Sequence, residues 1–454
     1  ESVRSIVKRA ALTLASGLPI EKTTRRPFHW PLEFPEVFMI ERSGFDAFVG
    51  NPPFLCNRLL MSSMGEKLQW QCQMILGTSP GKIDLSIVFH RRVVDLLRPN
   101  GCYGLLATSN IAEGSAVAVG LGVIVQSGDI YFSRKGMPWP GTASVVVAVI
   151  SFFKGRWAGV CDSEGHPCKR IGARLEPEAT DVWIPKELPD PVFSFEGVNN
   201  SKGMAFVLTA DSPWFDRLKN EPNSLLRPYI TGDDITSYAL RITDRWTLDI
   251  ADRKLDDIER NWPIAFQFLT QEVQPTRTPE ALKSYKGLYD RWWQFWNHRA
   301  DLMRKLRKQE HFIAFAKVTK YPFCLMAQTE WIYTNNILLI GADRNDLFVI
   351  CLSSFFRNWL YAFSVRSLGA DTNTLTLSIR EAVSTFALPS ETVSNIGRNH
   401  AARFQDVLVA WSEKNQCGLT DALNAVNTPS CNDPDVCELR QIMAAIDVEV
   451  ALAY

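Results

Sequence analysis

The sequence predicts an α/β chain. Residues 1–160 form a domain of alternating strands and helices, 161–195 a linker, 196–390 a mixed α+β domain, and 391–454 a C-terminal helical segment. Three observations carry this. An aromatic and β-branched run, Phe45 to Val49, ends at Gly50; an amphipathic helix and a second apolar strand follow before residue 109; and a polar, proline-rich stretch from 155 to about 195 precedes a shift in composition. At 454 residues the chain is long enough for two or three domains, each with its own core.

The first strand leads into Gly50-Asn51-Pro52-Pro53-Phe54. Gly50 can end the strand with a backbone angle other residues avoid. Two consecutive prolines then fix φ and remove two backbone donors, so the carbonyls of Asn51 and Pro52 and the Asn51 amide keep one geometry. Phe54 places a ring beside them. A stiff acceptor pair next to a flat apolar face suits a planar group with an exocyclic amine, as a nucleobase is. The bland reading is a strand that ends in a proline turn. Chance alone puts such a tetrad in well under about 1% of chains this long.

Composition narrows the classes. Charges balance at 49 against 49, and a 46% hydrophobic fraction with 14 Trp and 26 Phe describes a well-packed globular protein. Neutral net charge neither suggests nor excludes nucleic acid, because a local basic face can be offset by acid elsewhere. No window holds the roughly 18 uninterrupted apolar residues of a membrane span, and no secretory signal opens the sequence; it reads as cytoplasmic, without a membrane partner. The ten cysteines are scattered. Cys161, His166 and Cys168, with Cys431 and Cys437, lack paired Cys-x-x-Cys spacing, so they read as reduced structural thiols and no metal is assigned.

The Phe45–Phe54 stretch resembles the catalytic motif of amino-group DNA methyltransferases, and its Asn-Pro-Pro-Phe form is similar to that of the gamma-class N6-adenine type in the large single-chain branch of restriction-modification and phage-defence systems. The resemblance implies a class I methyltransferase (Rossmann-like) partial domain followed by a target recognition domain. It also implies S-adenosyl-L-methionine as cofactor, double-stranded DNA as partner, and Asn51, Pro52, Pro53 and Phe54 as catalytic residues, with Asn51 and Pro53 also touching the cofactor. Upstream, residues 3–15 read as a helix, and the string from Phe28 to Phe38 is similar to the lead-in to the catalytic strand in this branch.

After the tetrad, Gly81 to Ser86 opens a helix that runs to about Leu97, with Ile83, Ile87, Val88, Val94 and Leu97 on one face. Asp84 sits where a carboxylate caps a helix. The resemblance gives it, with Phe89, a second role beside the adenosyl half of the cofactor. Arg98-Pro99-Asn100-Gly101 reads as a turn, Tyr103 to Thr108 as a buried strand ending in Ser109-Asn110, and Gly114 to Gly128 as a glycine-punctuated connection. Then Met137-Pro138-Trp139-Pro140-Gly141-Thr142 precedes an apolar strand, Ala143 to Phe153. Trp139 between two prolines is either a packed surface aromatic or, by resemblance, a wall of the base pocket. Cofactor binding normally adds a Gly-rich strand-to-helix turn with an acid on the next strand. No such unit precedes Phe45, so the expectation is that an upstream segment or a second chain completes the site and that this chain alone does not methylate.

Leu226 to Ile235 again resembles a passage of large single-chain methylases, where target recognition begins. Asp290 to Arg299 and Arg304 to Lys308 read as a helix with an aromatic and a basic face. The basic face is either merely solvated or contacts phosphates through Arg299, Arg304, Arg307 and Lys308, with base readout by Gln294 or Asn297 as a third reading. Lys317, Lys320 and Arg366 are further DNA candidates. Strands are expected at 313–317, 323–326 and 331–340, and helices at 392–411 and 436–454, the latter with an apolar stripe of Leu439, Ile442, Met443, Ile446, Val450 and Leu452 that packs back on the protein. The function expected is site-specific adenine N6-methylation of DNA. Two alternatives stand beside it: a DNA-binding specificity subunit that does not methylate, and methylation of a protein glutamine or an RNA base.

Overall fold

The structure is a computed structural model that describes all residues except 1–3, 6–7, 10–11, 13–27, 40, 42, 56–65, 78–83, 140–145, 178–184, 189–192, 201–202, 237–243, 283–284, 286, 310–311, 342–343 and 367–373. The helix expected at 3–15 therefore lies mostly outside the described residues. The chain divides into two compact units, Glu1–Pro185 with Val365–Asn373, and Lys186–Ser364 with Thr374–Tyr454.

The first unit is built on a six-stranded sheet of β1 (Phe45–Gly50), β2 (Leu97–Thr108), β3 (Asp129–Pro138), β4 (Val146–Phe153), β5 (Cys161–Ser163) and β6 (His166–Cys168), in the order β1-β2-β4-β3-β5-β6. β1 and β2 are parallel, β4 runs antiparallel to both β2 and β3, and β5 is parallel to β3. So β1, β2 and β3 point the same way. Helices α1 (Glu66–Leu76) and α2 (Leu85–Leu96) make the crossover from β1 to β2, the connection a parallel pair requires.

α2 begins at Leu85 with Asp84 in the N-cap position, as the sequence suggests, and the Asp84 Oδ1 accepts from the Ser86 N–H at 2.8 Å. The helix buries Leu85, Ile87, Val88, Val93 and Val94 against the same core as Tyr103, Leu105 and Ala107, which alternate along β2. His90 joins the two elements. Its Nε2 meets the Leu106 carbonyl at 3.3 Å and its Nδ1 the Tyr103 hydroxyl at 3.1 Å. A carbonyl can only accept, so Nε2 carries the hydrogen and Nδ1 accepts from Tyr103. Burial pushes the His90 pKa down to about 4.

Several expectations change. β1 is not a buried strand: Val49 is 90% exposed, because β1 lies at an end of the sheet and pairs on one side among the described residues. Its inward side chains, Phe45 and Phe48, pack instead under the upstream string. Trp30 lies 5.5 Å from the Phe45 ring and 5.4 Å from Phe48, and Phe34 and Phe38 close on Phe45 at 5.5 and 5.4 Å. The Phe28–Phe38 segment, whose sequence carries no chemistry, is thus an aromatic cover for the strand that carries the motif. Arg98–Gly101 is not a turn between elements but an irregularity inside β2. Leu97 faces Phe45 and Cys102 faces Ala47, so the extra residues bulge out, with Asn100 at φ +63°. Gly44 is required here, since at φ +121° a Cβ would stand 2.5 Å from the Arg98 nitrogen.

β3 has no counterpart in the sequence reading, although Ile130-Tyr131-Phe132 is a strand-like triplet. The connection before it folds as short helices, Gly114–Val119 and Leu121–Ile124. Residues 161–177, expected as surface linker, instead form the β5–β6 hairpin and bury Cys161, Ile171, Ala173 and Leu175 in the first unit's core.

The second unit holds two four-stranded sheets. One orders Ile332–Tyr333, Leu226–Ile230, Arg245–Leu248 and Leu208–Thr209; the other orders Cys324–Ala327, Phe312–Ala316, Ile337–Gly341 and Phe193–Glu196. The strand expected at 331–340 is two strands, broken by a turn at Asn335-Asn336. The helix expected across 290–308 is also shorter. Residues 290–299 are turns, Arg299 is left-handed at φ +51°, and helix α3 spans Ala300–Leu306. The ring-bearing residues pull the turns inward, with Phe295 buried and Trp292 and Trp293 packed on the same cluster. Two long helices close the chain, α4 (Asn395–Lys414), capped by Ser394, and α5 (Pro434–Ala453), capped by Asp433. Leu439, Ile442, Ile446 and Val450 pack inward as expected, and Met443 lies partly buried against the same core; Leu452 does not, being 76% exposed.

Candidate functional site

Three parallel strands deliver their carboxyl ends to one rim of the sheet. In open α/β sheets that rim is where ligands bind. Gly50 sits beside Leu105, Leu105 beside Ile150, and Ile150 beside Ser133, so the chain leaves β1, β2 and β3 on the same side. β1 leads to Asn51–Leu55, β2 to the turn Ser109–Ala112, and β3 to Trp139.

Within the tetrad, Pro52 is buried while Asn51 and Pro53 are exposed and Phe54 is half-buried. The buried ring anchors the turn and leaves the Asn51 side chain facing outward, the disposition that contact with an external group needs. The turn is also held at its exit. The Leu85 N–H donates to the Leu55 carbonyl at 2.9 Å, which sets Asp84 and the start of α2 beside the motif. Phe89, on the second turn of α2, is 41% exposed.

The end of β2 also belongs to this rim. Thr108 and Ser109 are buried, and neither the Thr108 Oγ1 nor the Asn110 Oδ1 has a hydrogen-bond partner among the described residues. A buried polar atom without a partner costs about 1–3 kcal/mol, so two of them on the rim next to Asn51 suit a site completed by a polar ligand. The signal was available as Thr-Ser-Asn at the end of a strand. These atoms, with Asp84 and Phe89, are groups that could hold a nucleoside. Trp139 is half-buried on the same rim, but β3 is three strands from β1, a lateral separation of ~14 Å at strand level. The residues that follow Trp139, 140–145, lie outside the described residues.

In the second unit most of the basic candidates are engaged within the protein. Arg304 forms a fork with Asp252, both contacts at 3.0 Å, and also meets Asp301. Arg307 pairs with Asp249 at 2.8 Å and Lys317 with Glu196 at 2.6 Å, while Lys320 donates to the Asn424 Oδ1 at 2.7 Å. Gln294 is buried and its amide donates to the Arg253 carbonyl at 3.0 Å. Lys308 is exposed; the Arg366 side chain lies outside the described residues.

Comparison with known proteins adds to this geometry. Residues 13–118 match the Eco57I restriction-modification methylase family. That segment ends just past the Thr108–Asn110 rim. Among solved structures, the Type IIL restriction-modification enzyme MmeI in complex with DNA aligns with 96% of this chain and 58% of its own, at a TM-score of 0.65 and 16% identity. The type IIG restriction endonuclease BpuSI covers 90% of this chain and 54% of its own at 12% identity, with a TM-score of 0.31. No curated protein sequence matches. The MmeI likeness shows the fold: an α/β unit followed by a mixed α+β unit. The chain spans 58% of the length of MmeI. No helix among the described residues is long and apolar enough to cross a membrane.

Proposed function

We propose that this chain carries the base-handling face and the target-recognition part of an N6-adenine DNA methyltransferase of restriction-modification type, acting on double-stranded DNA. The observation that carries the reading is Asn51, exposed at the carboxyl end of a parallel strand on a turn pinned by the buried Pro52. The N6 amine of adenine is a poor nucleophile because its lone pair is delocalised into the ring. The Asn51 side-chain oxygen and the Pro52 carbonyl accept its two hydrogens, which lets the nitrogen pyramidalise and aims the lone pair. No side chain with a shifted pKa is needed. Phe54 stacks on the extruded base and replaces contacts it loses on leaving the duplex, at roughly 1–3 kcal/mol per aromatic contact.

S-adenosyl-L-methionine supplies an electrophilic sulfonium methyl when bound. Asp84 and Phe89 fit its adenosyl half, and the Thr108 and Asn110 oxygens, without partners among the described residues, fit a polar ligand on the same rim. The Gly-rich turn for its methionine half is, on this reading, supplied from outside the described residues.

The experiment is Asn51→Ala, assayed for methyl transfer to duplex DNA in the presence of any co-purifying chain. Transfer is lost by at least about 100-fold while DNA affinity stays within about twofold. Comparable turnover by variant and parent overturns the assignment. DNA binding with no transfer by the parent under any reconstitution supports the alternative of a specificity subunit.

A further inference from the structure

On the first unit, at the opposite end of the sheet from Asn51, two cysteines face each other across the β5–β6 hairpin. The strands are joined by the two-residue turn Glu164-Gly165, with φ +55° and +87°, and pair Ser163 with His166, Asp162 with Pro167 and Cys161 with Cys168. In such a hairpin the hydrogen-bonded and non-hydrogen-bonded pairs alternate outward from the turn. Pro167, which has no N–H, falls at the non-hydrogen-bonded position, so Cys161 and Cys168 occupy the next hydrogen-bonded one. Residues directly opposite in such a pair have Cα atoms about 5.5 Å apart and side chains on one face. A disulfide spans Cα separations of about 4.4–6.8 Å but needs Cβ atoms about 3.5–4.5 Å apart, somewhat closer than the roughly 4.5–5.5 Å of opposed strand residues, so closing the bridge draws the two strands together and leaves it strained and readily reduced. Both cysteines pack on the same cluster, Cys161 buried and Cys168 half-buried.

Cys161 also lines a cavity of 590 Å³ with Arg156, Lys169 and Arg170. Among the described residues of that lining the single carboxylate belongs to Asp129, and it accepts the Trp157 N–H at 2.8 Å. Three cations around one opening raise the local concentration of small anions.

We propose that Cys161 and Cys168 form a reversible dithiol–disulfide site that exchanges, through this basic cavity, with anionic low-molecular-weight disulfides of the glutathione class. The Cys161 thiolate attacks one sulfur of the reagent, forming a mixed disulfide and expelling the other half as a thiolate. The Cys168 thiolate then displaces the remaining half and closes the bridge. Two cysteine thiols lose two electrons in total, the reagent disulfide gains them, and the two released thiolates take up the two cysteine protons. Excess reagent thiol runs the steps backwards. The site is independent of methyl transfer.

The full chain is incubated with glutathione disulfide, alkylated and mapped by mass spectrometry. The expected product is a peptide joining Cys161 to Cys168, lighter by two hydrogens and restored by reduced glutathione. Cys168→Ser, which removes the half-buried partner, traps glutathione on Cys161. The double variant Arg156→Ala/Arg170→Ala slows bridging by glutathione disulfide about tenfold and leaves bridging by the uncharged hydroxyethyl disulfide unchanged. No linked peptide from the folded parent, with either reagent, overturns the site. Equal slowing or no slowing with both reagents overturns the role of the cavity.

Discussion

The Leu85 N–H reaches the Leu55 carbonyl at 2.9 Å, and this bond ties the exit of the Asn-Pro-Pro-Phe turn to the first turn of α2. It makes the helix cap and the motif one mechanical unit. Asp84→Ala removes the cap on Ser86 and costs about 1 kcal/mol of stability. Asp84→Asn retains the cap, since asparagine serves as well at that position. Thermal melting should therefore separate the two variants, while both weaken cofactor binding by titration calorimetry if the carboxylate also holds the nucleoside. An Asp84→Asn protein with parental cofactor affinity would confine Asp84 to capping.

Thr108 gives a second separation of structure from function. Its hydroxyl has no partner among the described residues, so Thr108→Val replaces an unsatisfied oxygen with a methyl group. Stability in urea should be unchanged or slightly higher. Transfer should fall, because the oxygen is then absent from the rim that faces the ligand.

His90 predicts an acid limit to the fold. Its pKa is about 4 in the folded chain against about 6.5 when unfolded, so between these values the unfolded chain binds the extra proton. Stability is therefore full above pH ~6.5 and declines towards pH ~4, by roughly 3 kcal/mol in all. His90→Gln should flatten this slope in pH-dependent denaturation. An unchanged slope would show that the imidazole is not the group responsible.

In the second unit, Asp346 is fully buried and pairs bidentately with Arg344 at 2.9 and 2.8 Å, while accepting the Val393 N–H at 2.7 Å. Burial alone raises its pKa, but the guanidinium and the amide outweigh that and hold it below the ordinary carboxylate value. The stability it contributes is present above the ordinary carboxylate pKa and is lost as pH falls through the lower folded value. Asp346→Ala should cost about 1–3 kcal/mol in urea melts, because it leaves the buried Val393 amide unpaired while Arg344 keeps only the Pro389 and Glu391 carbonyls.

For DNA, the ion pairs set an order among the lysines and arginines. Arg304 is already shared by Asp252 and Asp301, whereas Lys308 is exposed. Lys308→Ala should lower the slope of log affinity against log salt by about 1, and Arg304→Ala should change it less. The reverse order in fluorescence anisotropy would show that DNA displaces the acids.

What the sequence by itself determined was local. The strand into Gly50, the prolines that stiffen the turn, the cap at Asp84, the alternation along Tyr103–Thr108 and the stripe on α5 all follow from near neighbours, where sterics and periodicity act within a few residues. Tertiary structure alone decided the rest. β3 and the β5–β6 hairpin are strands because the sheet accepts them, and the Phe28–Phe38 string gains its purpose from Phe45 and Phe48 beneath it. Arg304, Arg307 and Lys317 are a run of cations in the sequence, and only the fold brings Asp252, Asp249 and Glu196 from distant segments to pair with them. The meeting of Asn51 with the Thr108 and Asn110 oxygens on one rim has the same origin. Partners of that kind are set by chain topology, and a linear pattern holds no record of which segments will become neighbours.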